Sequence, residues 1–81
     1  MLIPAGLSPQ WLIRPRSDGG TDYVRFLPAH GTAMVEIREG SHLPPQMPML
    51  KRRRRLRAEE AEACRRRLLL EAGYRRGEPL F

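Results

Sequence analysis

The densest chemistry in this 81-residue sequence is a run of bases. Lys51, Arg52, Arg53, Arg54, Arg55 and Arg57 place six cations in seven positions. Such a block repels itself unless an anion neutralises it. The candidate partners are nucleic acid through its phosphates (DNA or RNA), an acidic membrane surface, or an acidic protein. A plainer explanation also exists. Of the 15 bases, 14 are arginine, a ratio that coding bias produces when arginine serves wherever a solvated base will do.

Other reactive side chains are sparse. His30, His42 and Cys64 are the only soft metal ligands, and their spacing matches no zinc pattern. Cys64 reads better as a small apolar residue on a buried stripe, and a Cys–His nucleophile has no motif behind it. No Gly-rich phosphate loop, metalloprotease helix or nucleophile elbow is present. Gly19-Gly20 is a turn with no helix after it, and Asp18 and Asp22 read as turn-capping residues. A chain of this size also lacks the bulk for a closed pocket. The expectation is a non-enzyme without cofactor or metal.

The charge is unevenly spread. The formal net charge is +6 with a pI near 11.0. Residues 1–48 hold four arginines (14, 16, 25, 38) and four acids, and the whole excess falls in residues 49–81. One cysteine excludes an internal disulfide framework. The apolar runs are about four residues long, against the ~18 of a membrane-spanning helix. Residues 1–10 carry Pro4, Gly6 and Pro9 but no basic and apolar regions of a secretory leader. They read as a loose lead-in, and the expected compartment is the cytoplasm.

The elements that must position these bases follow from pattern. Trp11–Arg14 is a short apolar run stopped by Pro15, and Ser17-Asp18-Gly19-Gly20 is a strong turn cluster. Asp22–Leu27 and Thr32–Glu39 are strand-like, the latter alternating in period two. The predicted fold is α+β: a small three-stranded antiparallel meander covered by one C-terminal α-helix. The domain spans 11–76, with a tail over 77–81. Period two puts Trp11, Ile13, Val24, Phe26, Val35 and Ile37 on one apolar face, and Arg14, Tyr23, Arg25, Glu36 and Arg38 on the other. Three strands alone are barely stable, so the apolar face needs a cover. Trp11 is expected in the core; Tyr74 has no assigned place.

The cover comes from the second half. The 43–50 segment, with Pro44, Pro45 and Pro48, is an extended connector that cannot be helical. The basic run 51–57 follows, outside the helix, as an exposed approach strand or turn. A helix over 58–72 has no Pro, Gly or β-branched residue, and Gly73 stops it. Ala58, Ala61, Cys64, Leu68, Leu69 and Ala72 form its apolar stripe. Arg65 intrudes on that stripe, where only snorkelling accommodates it. No side-chain N-cap precedes Ala58, and Glu62 and Arg66 form a favourable i,i+4 pair.

The Trp-led strands, the segment Leu-Lys-Arg-Arg-Arg-Arg-Leu-Arg-Ala-Glu-Glu-Ala (50–61) and the close Leu-Leu-Glu-Ala-Gly-Tyr (69–74) resemble a family of small cyanobacterial proteins whose domain has no known function. The resemblance covers roughly residues 11–76 and implies no activity, cofactor or site. Family members carry Ser or Thr near the helix start and Trp after the Gly, where this chain has Arg57 and Tyr74. At the level of fold alone, the expected architecture is similar to the three-strand-plus-helix DNA-binding modules of tyrosine recombinases, which lay the open sheet face in the major groove. That likeness is analogy.

The leading functional expectation is a nucleic-acid-binding module with weak sequence preference. Its contacts are Lys51, Arg52, Arg53, Arg54, Arg55 and Arg57, with Arg14, Arg25 and Arg38 on the free sheet face. The alternative is a small interaction module or regulator that docks on an acidic partner through Leu56, Leu70, the Met- and Pro-rich 43–50 segment and Pro79-Leu80-Phe81. Membrane-surface binding is weaker, because the apolar helix face is needed to cover the sheet.

Overall fold

A computed structural model describes residues 10–29 and 31–81. The lead-in over 1–9 and His30 lie outside the described residues. The fold is α+β, an antiparallel sheet with one helix on it, but the described residues form five strands rather than three. In chain order these are β1 (Gln10–Pro15), β2 (Thr21–Pro28), β3 (Met34–His42), β4 (Met49–Arg57), α1 (Ala58–Glu71) and β5 (Arg75–Gly77). The strand order is β4-β3-β2-β1-β5. Gln10, expected in the lead-in, opens β1 opposite Phe26.

The turns follow from local chemistry. Between β1 and β2, Gly19 takes φ 88°, and Asp18 Oδ1 accepts the Gly20 N–H at 2.9 Å. Asp22 does no capping; it accepts hydrogen bonds from Arg14 instead. Between β3 and β4 the Pro-rich segment is a tight turn rather than an extended connector. The Gln46 N–H donates to the Leu43 carbonyl at 2.9 Å around a cis Pro44-Pro45 peptide, the arrangement of a type VI turn. The chain therefore doubles back, and 49–57 becomes an edge strand paired to β3.

One face of the sheet carries the core: Leu12, Val24, Phe26, Val35 and Ile37, all buried, closed by Ala61 of α1. Leu56, Ala58, Cys64, Leu68, Leu69 and Tyr74 pack around them. The helix stripe is thus the expected one. The phase of β1 is not. Leu12, opposite Val24, is the buried residue, while Trp11 and Ile13 lie half-buried on the opposite face. Two opposed residues of an antiparallel pair share a face. The register Trp11↔Arg25 and Leu12↔Val24 therefore sets Trp11 beside Arg25, and Arg14 on the helix side with Asp22.

The helix ends are served from outside. No side chain caps Arg57; the Ala58 N–H instead donates to the Ala33 carbonyl at 2.8 Å, satisfying one of the four orphan donors of a helix start. At the other end no base lies in the last turn. Arg14 supplies one, donating to the Ala72 carbonyl at 2.8 Å, where a cation suits the helix dipole. Gly73, at φ 75°, then turns the chain into β5. Arg65 is held by Glu62 through Nε at 2.9 Å, which accounts for a base at the edge of the stripe. The Glu62–Arg66 pair is looser, at 3.6 Å.

Candidate nucleic-acid interface

The basic run is a β-strand, and that divides it. Leu56 sits opposite Val35 and Arg54 opposite Ile37, so the even-numbered residues face the helix. Arg53 and Arg55 face the open side, as does Arg57 opposite Met34. Lys51 falls at the irregularity beside Glu39 and Gly40, and joins the helix side of the sheet next to Arg52.

On the open face the register aligns one row across four strands: Trp11↔Arg25, Arg25↔Arg38 and Arg38↔Arg53. Neighbouring strands are about 4.8 Å apart, so three guanidinium side chains spring from points within about 10 Å. Arg55 and Arg57 extend the same field along β4. Among the described strand residues of this face, Glu36 is the single carboxylate. It accepts a hydrogen bond from Arg38 Nε and lies 3.7 Å from Arg53 Nε. The Arg38 hydrogen bond, helped by the charges of Arg53 and Arg55, holds the Glu36 carboxyl below the usual carboxylate range. Among the described residues Arg25 pairs with no carboxylate; its guanidinium carbon lies 4.6 Å from the centre of the Trp11 ring, a cation–π contact.

An aromatic group borders this row. Phe81 meets Trp11 at 5.0 Å, Tyr23 at 5.2 Å and His42 at 5.9 Å between ring centres, each steeply inclined. Tyr23 is buried, and its hydroxyl donates to the Met49 carbonyl at 3.4 Å. Burial pushes its phenol pKa up. Gly40 permits this, because a Cβ there would lie 2.6 Å from the Tyr23 oxygen. Between the aromatic group and the arginine row runs a groove of roughly 190 Å³, lined by Tyr23, Arg25, Arg38, Pro48, Leu50 and Phe81.

The remaining bases named from the sequence do not join this site. Arg14 is committed to Asp22, to the Ala72 carbonyl and to the Tyr74 ring, 4.5 Å away. Arg52 and Arg54 flank Glu39 at 3.7 and 3.9 Å, and Arg54 also donates to Cys64 Sγ at 3.4 Å. A second cleft of roughly 400 Å³ lies there, lined by Arg14, Asp22, Glu39, Lys51, Arg52 and Tyr74, where Asp22 pairs with Arg14 and Glu39 with Arg52. Cys64 itself is half-buried. Trp11, expected in the core, is part of this candidate interface. So is Phe81, whose only signal in the sequence was an aromatic on an apolar tail. Leu56, expected free, packs on the core, whereas Leu70 is 83% exposed.

Among the described residues no group of three or more His, Cys, Asp and Glu could hold a metal ion, and no helix is long and apolar enough to cross a membrane. No family model, curated protein or solved structure matches the chain.

Proposed function

We propose that the protein is a non-enzymatic nucleic-acid-binding module that grips phosphates with the open face of its sheet. The observation that carries this reading is the cross-strand row Arg25–Arg38–Arg53. Like charges placed directly opposite one another on a sheet are destabilising. Six arginines of the described strands (25, 38, 53, 55, 57 and, on β5 opposite Ile13, 75) share this face with one carboxylate, Glu36, and a polyanion resolves the imbalance. The bases of β4 also blunt an exposed sheet edge against pairing with other chains. Edge protection accounts for bases on β4 but not for Arg25 and Arg38, which sit on interior strands.

Phosphate contacts fix position and carry no sequence information, so preference among sequences is weak. The resemblance to small cyanobacterial proteins and a place in the cytoplasm belong to the same proposal; an unpaired Cys64 suits a reducing compartment. The test is equilibrium binding to mixed single- and double-stranded DNA and RNA over a salt series. A linear fall of log K with log salt is expected. Absence of salt-dependent binding to every probe removes the proposal. Docking on an acidic protein through Leu70 and Phe81 then becomes the leading reading.

A further inference from the structure

We infer that the groove beside the arginine row receives an unstacked base of a single strand, so that the ligand is single-stranded DNA or RNA rather than a duplex. This rests on the reading of the open face as a phosphate-binding surface and specifies what that surface takes.

Four observations converge. The groove has a fixed aromatic floor, Tyr23, anchored through its hydroxyl to the Met49 carbonyl. Its rim carries Phe81, 55% exposed, whose ring contacts with Trp11, Tyr23 and His42 are all inclined by 77° or more. Among the described residues no ring stacks flat on Phe81. Its opposite wall is Arg25 and Arg38, so a base in the groove has its flanking phosphates beside guanidinium groups. Finally, the Arg25 Nε is buried and, among the described residues, makes no hydrogen bond.

An aromatic ring next to a phosphate-binding row is the arrangement by which proteins hold single strands, because every base offers a π-face once it leaves the stack. A paired duplex keeps its base faces stacked on each other and presents only edges in its grooves. Duplex readers lay a helix, a β-ribbon or an open sheet face in the major groove and read base edges there; none of these modes uses an exposed ring on which a base face stacks. Here α1 lies on the far side of the sheet, with Glu59 and Glu60 in its first turn. The occupant is therefore a strand that can splay a base into the groove while its backbone runs along Arg25, Arg38 and Arg53.

The experiment uses the full chain with homopolymeric DNA and RNA oligonucleotides of about ten nucleotides, within the range that one small module covers, and duplexes of equal length. Anisotropy of labelled probe gives affinity. Trp11, the sole tryptophan, reports occupancy through its own fluorescence. Single strands are expected to bind at least tenfold more tightly than duplex and to change Trp11 emission. Phe81→Ala is expected to weaken single-strand binding about 5- to 150-fold, the range for loss of one stacked base, and to leave duplex affinity unchanged. Phe81→Tyr restores it. An unchanged melting curve of Phe81→Ala shows that the fold is intact. Equal affinity for duplex and single strand, or wild-type binding by Phe81→Ala, overturns the inference and leaves phosphate binding standing. No binding to any probe at low salt overturns both.

Discussion

Arg25 and Arg38 stand directly opposite one another on β2 and β3, and they are relieved in different ways. Arg38 hydrogen-bonds Glu36, whereas Arg25 lies over Trp11. The Glu36 carboxylate offsets one charge and the Trp11 ring offsets none, so the arginines of this face keep a positive excess. On the proposed reading, both guanidinium groups are held in place before a phosphate arrives.

The two sides of β4 allow that field to be tested with matched charge changes. Arg53 and Arg55 face the open side, and Lys51 and Arg52 the helix side. Arg53→Gln with Arg55→Gln is expected to flatten the slope of log K against log salt by about 1.4 on a single strand, at ~0.7 per phosphate. Lys51→Gln with Arg52→Gln removes the same charge from the neighbouring positions and is expected to change the slope far less. Equal flattening by both pairs would mean that net charge, and not this face, sets binding.

Acid should weaken the fold through two carboxylates. Arg65 holds the Glu62 carboxyl below its ordinary range by hydrogen bonding, and Arg38 does the same for Glu36. Both groups bind protons less readily folded than unfolded. Their contribution is complete above an unfolded pKa of about 4.5 and is lost as pH falls through the lower folded values. Urea unfolding between about pH 5 and pH 2 should show stability falling with pH. Glu62→Gln should lower stability at neutral pH and make that fall shallower. A Glu62→Gln curve parallel to wild type would show that the ion pair contributes nothing to the linkage.

What the sequence disclosed depended on whether apolar residues alternated with polar ones. The helix was legible to within one residue, since its stripe repeats from Ala58 to Ala72 without a breaker. Val24 and Phe26 bracket Arg25, and Ile37 precedes Arg38, which set both arginines on the open face in advance. Trp11-Leu12-Ile13 is apolar throughout and has no phase of its own. Leu12 is buried because β2 places Val24 against it, and Arg14 moved to the helix side with it. β4 offered almost no apolar pattern. It is a strand because Glu36 and Glu39 of β3 pair with its arginines and Leu56 seats on the core, a tertiary effect that outweighs the low strand preference of bases.

Leu56 and Leu70 were equivalent in the sequence and are opposite in the structure. Leu56 is half-buried against the core, whereas Leu70 is 83% exposed on α1. Leu56→Ala should cost about 1–2.5 kcal/mol, half the range for a fully buried leucine. Leu70→Ala should stay within about 0.5 kcal/mol. The midpoint of urea unfolding at constant m reads both. A large loss at Leu70 would place that side chain in an interface between molecules.

Gly40 is where the interface and the fold meet. It sits on β3 at the irregularity with β4, under the Tyr23 ring. A Cβ there would come 2.0 Å from the Met49 carbonyl oxygen and 2.6 Å from the Tyr23 hydroxyl. The first neighbour is backbone, so relief requires β4 to move away from β3. The second is the anchor of the groove floor. Gly40→Ala is therefore expected to destabilise by about 1–3 kcal/mol, the usual cost of forcing atoms into packed space. It should also weaken single-strand binding beyond what the loss of stability explains, because Tyr23 loses its bond to Met49. Gly31 provides the contrast. Its φ is 76° and an added Cβ meets nothing within 4 Å, so Gly31→Ala carries only the left-handed backbone penalty of about 1–2 kcal/mol. It should leave affinity untouched under conditions where both variants are fully folded. If the two variants bind alike there, the Tyr23 floor does not shape the site.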